Sequence, residues 1–169
     1  LAARLGSDVP FGLHGGTAIG SGRGEQLTSV LARGTFQWVF ALAEGGLSTP
    51  AVYGECDRLR GTAIVREPYI SDNLMQALRA GDSLLLGKAL HNDLQPAALS
   101  LRPGLRRVLE HGDEYGALGG IVSGSGPTCA FIASDDEQSL DLAVALTASG
   151  VCRTVKRAVG PVPGARIIG

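Results

Sequence analysis

The chain has 169 residues, with 15 basic against 16 acidic side chains and a formal net charge of −1. Hydrophobic residues make up 44% and charged residues 18%, which supplies a packed core and excludes an intrinsically disordered chain. Aromatic residues are only 5% and there is no basic excess, so a nucleic-acid platform has little support, and no apolar run approaches the ~18 residues of a membrane span.

Leu1-Ala2-Ala3-Arg4-Leu5 reads as the last turn of a helix, and with no Met at its start the sequence reads as part of a longer protein. Glycine is the strongest compositional signal, at 25 residues, gathered in Gly12 to Gly24 and in Gly116 to Gly126. Clusters without a fixed period mark a backbone that bends sharply or lies close to something, not a collagen or a linker. Thr35 to Leu42, rich in aromatic and β-branched residues, predicts a strand. Ser48-Thr49-Pro50 starts a helix that carries Val52, Tyr53 and Cys56 and ends near Arg60-Gly61. Ser71-Asp72-Asn73 opens a second helix, Asp82 a short third, and Arg102-Pro103-Gly104 a fourth. Ile121-Val122 and Thr128 to Ala133 read as paired strands around the second glycine cluster. Ser134-Asp135-Asp136-Glu137 caps a helix through Leu140, Val144 and Leu146, closed by Gly150. Val151 to Val159 and Ala165 to Ile168 supply the final strands. Residues 35–169 therefore predict one α+β unit in which helices cover a face of an antiparallel sheet, and residues 1–34 read as the tail of another unit.

Cys56, Cys129 and Cys152 form no CxxC pair, and their odd number does not suggest a disulfide framework, so the expected compartment is reducing and cytoplasmic. Cys129, within Thr128-Cys129-Ala130-Phe131-Ile132, reads as a small buried hydrophobe. His14, His91 and His111 share no ligand spacing and read as structural or surface residues, so no protein-ligand metal site is expected. Gly81 to Lys88 (GDSLLLGK) is not a phosphate-binding P-loop: its spacer is one residue too long, and Ala89 stands where a Ser or Thr would hold magnesium.

Three segments carry chemistry, each with a plainer alternative. In Ser123-Gly124-Ser125-Gly126-Pro127-Thr128, two glycines let N–H groups turn inward around an anion, or simply make a tight hairpin turn. In Gly6-Ser7-Asp8-Val9-Pro10-Phe11, Asp8 can accept a proton from a substrate hydroxyl, or serve as an N-cap or turn aspartate. In Gly15-Gly16-Thr17-Ala18-Ile19-Gly20-Ser21-Gly22-Arg23-Gly24-Glu25, the flanking glycines leave Arg23 uncovered for a phosphate or diphosphate, or the stretch is a hairpin whose Arg23 pairs with Glu25 in solvent.

These pieces occur in the order found in the GHMP kinase superfamily, and the sequence resembles its members over essentially all 169 residues, as the C-terminal part of such an enzyme. The resemblance rests on the SDVPF stretch, GSGRGE, the Ser48-Thr49-Pro50 helix start with Tyr53, Asn92-Asp93-Leu94, and GIVSGSGPT. It implies the superfamily's C-terminal domain, with a ferredoxin-like sheet, at residues 35–169 and a remnant of the N-terminal domain at residues 1–34. The branch it resembles transfers phosphate from ATP, with magnesium, to a hydroxyl of diphosphocytidyl-methylerythritol in the non-mevalonate route to isoprenoids. Asp8 then matches the catalytic aspartate, and Arg23, Thr49, Pro50 and Tyr53 match substrate-binding positions, with Tyr53 stacking on cytosine. Gly124, Ser125 and Gly126 match the loop that supports the nucleotide phosphates. The superfamily's main glycine- and serine-rich ATP loop and its partner lysine are not among these residues, so these 169 residues by themselves are expected not to turn over ATP. Two other functions stay open: a non-catalytic chain that folds and binds cytidine nucleotide weakly, and another GHMP-type kinase acting on homoserine or mevalonate. The resemblance also implies that the segment from Asp8 to Leu27 leaves donors unpaired and apolar groups wet unless another part of the enzyme covers it.

Overall fold

A computed structural model describes residues 1–64 and 68–167. Its centre is β3, Phe36–Leu42. Alternation along this strand sends Val39 and Ala41 to one side, where both are buried, and Phe36, Trp38 and Phe40 to the other. β5 (Thr128–Ala133) and β6 (Thr154–Gly160) pair antiparallel with β3 on its two sides, with Val39 opposite both Phe131 and Arg157. β4 (Gly119–Val122) completes the sheet in the order β4-β5-β3-β6.

Helices α2 (Thr49–Arg60), α5 (Gln95–Leu101), α6 (Gly104–Glu114) and α7 (Asp136–Ala148) cover the Val39 face. Their inner residues, Val52, Cys56, Ala97, Ala98, Leu105, Val108, Leu142 and Leu146, form one cluster with Val39, Ala41, Val122, Cys129 and Phe131. The expected α+β class and its helix-covered antiparallel sheet are thus present. The opposite face is also half covered, because α3 (Asp72–Ala80) and α4 (Ser83–Ala89) pack Ala77 and Leu86 against Phe36 and Ile132. Side-chain caps start three of these helices: Ser71 Oγ accepts from the Leu74 N–H at 3.2 Å, Asp82 Oδ1 from Leu85 at 2.8 Å, and Asp135 Oδ1 from Gln138 at 2.8 Å. Gly81 to Lys88 is the C-cap of α3 followed by α4, with Leu86 and Gly87 buried, which excludes a phosphate cradle there.

Several local expectations are corrected. Residues 2–4 are a short 3-10 turn, and Asp8 stands at the start of a helix, α1 (Val9–His14), as well as after that turn. In the stretch after it, the donors that face inward are paired within the chain, while the outer edges of its two strands have no neighbouring strand among the described residues. β1 (Ala18–Ser21) and β2 (Gln26–Ser29) close on each other as a hairpin, with Ile19 opposite Thr28. No strand forms at residues 165–167, and Ile168 lies outside the described residues; instead the chain after β6 lies against α1, where Gly16 donates to Val162 at 2.8 Å and Ala165 to Gly12 at 2.9 Å. Cys129 is fully buried, and loss of solvent, with a smaller contribution from nearby Cys152, pushes its thiol up to about 12.

Two helix glycines are set by contact rather than by conformation. A Cβ on Gly112 of α6 would lie 2.0 Å from Phe131 Cε1, and one on Gly87 of α4 would lie 2.3 Å from the Leu118 carbonyl oxygen. The side chain is absent because a ring or a backbone already occupies its place. Gly112→Ala is therefore expected to destabilise the fold by about 2 kcal/mol through overpacking, although Ala is the better helix former. Urea unfolding checks it, and shortening the ring with Phe131→Leu in the Gly112→Ala background is expected to recover part of the loss.

Candidate functional site

The turn between β4 and β5 is tethered both within itself and from other segments of the chain. Within it, the Ser123 N–H donates to the Thr128 carbonyl at 2.8 Å and the Gly126 N–H to the Ser123 carbonyl at 2.9 Å. Gly124 and Gly126 sit at φ +56° and +78°, where a side chain would be strained. The N–H groups of Gly124 and Ser125 take no partner among the described residues, so two adjacent donors remain available to an anion.

Three side chains from outside hold this turn. Asn92 donates to the Val122 carbonyl at 2.7 Å and to the Gly124 carbonyl at 2.8 Å. Gln95 accepts from the Val122 N–H at 2.8 Å. The hydroxyls of Thr49 and Ser125 lie 2.9 Å apart. Thr49 is the first residue of α2, between Ser48, whose side chain makes no capping bond, and Pro50, which suits a helix's first turn, so the head of α2 is delivered to the turn. Pro50 is exposed beside it, and Tyr53, one helical turn on, is 55% exposed with its ring free to take a planar partner.

Asp8 and Arg23 form a second group. Asp8 occupies the N-cap position of α1, yet its carboxylate makes no capping hydrogen bond. It is exposed, and its Oδ1 lies 4.0 Å from where a Cβ on Gly24 would sit, which sets it against the β1–β2 turn that carries Arg23. The Arg23 side chain is 80% exposed, with Nε 3.9 Å from Glu25 Oε1, while Glu25 Oε2 accepts the Arg23 backbone N–H at 2.8 Å. Backbone donors, its own and that of Arg23, hold the Glu25 carboxyl below the usual carboxylate range, with the Arg23 charge a smaller cause. No hydrogen bond or ion pair among the described residues joins this group to the Thr49–Ser125 group. The candidate residues therefore fall into two clusters: Asp8 with Arg23, and Thr49, Pro50 and Tyr53 with Gly124 to Gly126.

Beside the turn, on the half-covered sheet face, Trp38, Phe40, His91, Asn92, Ile121 and Ala130 line an open groove of about 420 Å³. Neither this groove nor the clamp by Asn92 and Gln95 follows from the sequence, although Asn92-Asp93-Leu94 ahead of Pro96 has the form of an Asx turn and the Leu94 N–H does donate to Asn92 Oδ1, at 3.0 Å. His91 pairs with Asp93 at 2.8 Å and His111 with Glu114 at 2.8 Å. Among the described residues no group of three or more His, Cys, Asp or Glu is gathered for a metal, and no helix is long and apolar enough to cross a membrane.

The family model for the GHMP kinases C terminal matches residues 74–152, a span that includes β4, β5, α7 and the glycine turn between the two strands. The chain is 59% identical over 99% of its length to 4-diphosphocytidyl-2-C-methyl-D-erythritol kinase of Rhodococcus jostii, and 58% identical over 99% to that of Thermobifida fusca. It covers 54% of each, so the chain spans about half the length of the curated relatives it matches. A crystal structure of 4-(cytidine 5'-diphospho)-2C-methyl-D-erythritol kinase superposes with a TM-score of 0.75 at 27% identity, over 93% of this chain and 54% of that one. Homoserine kinase from Cytophaga hutchinsonii shares the fold, with a TM-score of 0.68 at 18% identity over 91% of this chain and 50% of that one.

The two elements that hold the turn are themselves tied together. Glu55 on α2 accepts Arg58 Nε at 2.6 Å and the hydroxyl of Ser100, at the end of α5, at 2.5 Å. The Arg58 hydrogen bond, followed by that of Ser100, lowers the Glu55 carboxyl to about 2. Because this value lies below that of an unfolded glutamate, the joint contributes fully above the ordinary carboxylate range and is lost as pH falls towards 2. The stability difference between the unmodified chain and Glu55→Gln is therefore expected to shrink steadily from pH 5 downward in thermal unfolding; a constant difference would show that the carboxylate adds nothing.

Proposed function

We propose that the chain is the C-terminal part of an ATP-dependent kinase that phosphorylates a hydroxyl of 4-diphosphocytidyl-2-C-methyl-D-erythritol. The observation that carries this reading is the Gly124–Gly126 turn, whose two unpartnered N–H groups suit a phosphate oxyanion and whose Ser125 is joined to the head of α2. The substrate is supported by the relatives named above, identical at well over half of their aligned positions.

On this reading Asp8 orients the acceptor hydroxyl and takes its proton as the hydroxyl oxygen bonds to the γ-phosphorus of ATP and the bond to the bridging oxygen of ADP breaks. A carboxylate that makes no capping hydrogen bond to its own helix is available for that role. Arg23, whose side chain is 80% exposed, meets the diphosphate of the substrate through its guanidinium fork. Tyr53 stacks on the cytosine, and Thr49 and Pro50 border it. Gly124 and Ser125 hold nucleotide phosphate. Magnesium neutralises phosphate charge in such transfers, but the described residues gather no ligand set for it, and no step is derived through it. The free thiols of Cys56, Cys129 and Cys152 suit the reducing cytoplasm in which this chemistry is expected to run.

In the complete gene product, Asp8→Asn is expected to lower kcat by about 10²–10⁴-fold with little change in KM. Tyr53→Ala is expected to raise the KM for the cytidine substrate by about tenfold or more while leaving that for ATP alone. Full turnover in Asp8→Asn would overturn the assignment of the carboxylate. Faster turnover with homoserine or mevalonate than with the cytidine substrate would instead select another GHMP kinase.

The 169 residues expressed alone are expected to fold and to show no ATP turnover, because the superfamily's main glycine- and serine-rich ATP loop and its partner lysine are not among them. A coupled ADP-release assay on that polypeptide checks this, and robust activity would contradict it. Retained cytidine-nucleotide binding without turnover in the complete gene product would favour the non-catalytic reading.

A further inference from the structure

We propose that Asn92 is the positioning residue of the anion-binding turn: by fixing the Gly124 carbonyl it aims the Ser125 N–H at the phosphate. The inference rests on the reading of Gly124–Gly126 as a phosphate loop and adds a residue that lies outside that loop by about thirty positions in sequence.

The argument begins with the peptide unit. In a trans peptide the carbonyl of one residue and the N–H of the next point in opposite directions. A donor that captures the Gly124 carbonyl therefore turns the Ser125 N–H the other way, away from Asn92. The same holds one step earlier, where capture of the Val122 carbonyl directs the Ser123 N–H, which meets the Thr128 carbonyl at 2.8 Å and closes the turn. One amide group governs both peptide planes, with contacts of 2.7 Å to Val122 and 2.8 Å to Gly124.

The orientation of that amide is not arbitrary. Its oxygen accepts the Leu94 N–H at 3.0 Å, so the nitrogen must face the two carbonyls; the flipped amide would set oxygen against oxygen twice and nitrogen against an N–H donor. Asn92 is itself fixed from below. Gln95, three residues on, accepts the Val122 N–H at 2.8 Å, and α5 continues into Ala97 and Ala98, both buried in the core. From the other side, Thr49 holds the Ser125 hydroxyl. The turn is thus gripped at its carbonyls and its side chain, and what remains unheld is the pair of N–H groups at Gly124 and Ser125. A glycine-rich turn without such a grip would sample many conformers and bind an anion only in a few, so the clamp acts by preorganisation. Aspartate at position 92 would keep the acceptor for Leu94 but put a carboxylate against two carbonyl oxygens.

The test uses the complete gene product carrying Asn92→Asp, Asn92→Ala or, as a probe of the loop itself, Gly126→Ala, whose added Cβ would lie 3.0 Å from Val122 Cγ1 at φ +78°. Three readouts are taken: the KM for ATP against that for the alcohol substrate and against kcat, the shift of the Ser125 amide resonance on adding ADP, and hydrogen exchange at residues 123–126 against residues 105–112 of α6 as a control for folding. Loss of two hydrogen bonds to the turn is expected to raise the KM for ATP roughly tenfold in both Asn92 variants, to speed exchange at 123–126 and abolish the Ser125 shift, and to leave the α6 amides and the KM for the alcohol unchanged. A KM for ATP that rises in Gly126→Ala but not in the Asn92 variants would overturn the proposal while leaving the phosphate loop standing. A KM for ATP unmoved in all three would remove the loop reading and this inference with it. Equal loss of protection in α6 and in the turn of both Asn92 variants would reduce Asn92 to a general stabiliser and also overturn the proposal.

Discussion

The structure depends on how closely backbone is allowed to approach backbone and ring around β4 and β5. The Phe131 ring, wholly buried, fills the space that a Cβ at Gly112 or Gly120 would need, at 2.0 and 2.7 Å, and so α6 can lie directly on the sheet. On the other face, Gly87 and Gly119 approach so closely that a Cβ on either would meet the other segment's backbone at 2.3 Å. These contacts clamp β4 between two helices. A strand of four residues at the edge of a sheet would otherwise be poorly placed, and the turn at its end would inherit that looseness. Dense packing at one end of β4 is what permits an exposed, glycine-rich turn at the other to keep a defined shape.

The division of the site into two clusters follows from the same logic of attachment. Thr49, Asn92, Gln95 and Ser125 belong to elements that share the main core, and every contact among them is short. Asp8 and Arg23 stand on α1 and the β1–β2 hairpin, which meet the rest of the chain through backbone bonds at Gly12, Gly16 and Arg33. Phosphoryl transfer asks for donors held rigidly around phosphate and for one base placed against the acceptor, two demands that different parts of a protein can meet. The rigid cluster suits the first. The exposed carboxylate of Asp8 suits the second.

The elements legible in the sequence were those with a strong local cause. Ser71, Asp82 and Asp135 announced helix starts because a short polar side chain ahead of an apolar period has few other uses, and each does cap its helix. Thr35 to Leu42 was legible as a strand because aromatic and β-branched residues alternate across it. What was not legible had causes distant in sequence. Helix α1 holds a Pro and a Gly in six residues, a composition that hides a helix, and α5 is a seven-residue helix opened by a Pro with no capping side chain. Ala165 to Ile167 has strand composition, but its Ala165 N–H bonds to the Gly12 carbonyl of α1, and among the described residues no strand pairs with it. In the site, Gly124, Ser125 and Gly126 stood out by composition, whereas the meeting of Thr49 with Ser125, 76 residues apart, and the grip of Asn92 are products of the fold.

The two readings of Arg23 that the sequence left open are compatible in the structure. Glu25 does pair with it, but the hydrogen bond runs to the Arg23 backbone N–H, while the guanidinium stays 3.9 Å away and 80% exposed. An ion pair so open to solvent contributes little, and its rupture costs correspondingly little. The carboxylate therefore shapes the turn by holding its backbone, and close packing adds to this, since a Cβ on Gly22 would already lie 3.2 Å from Glu25 Oε1. A residue whose backbone is held by one carboxylate and whose side chain is 80% exposed can change rotamer without disturbing the hairpin. Glu25 and Asn92 resemble each other in this respect: each side chain binds backbone, Glu25 at the Arg23 N–H and Asn92 at the Val122 and Gly124 carbonyls.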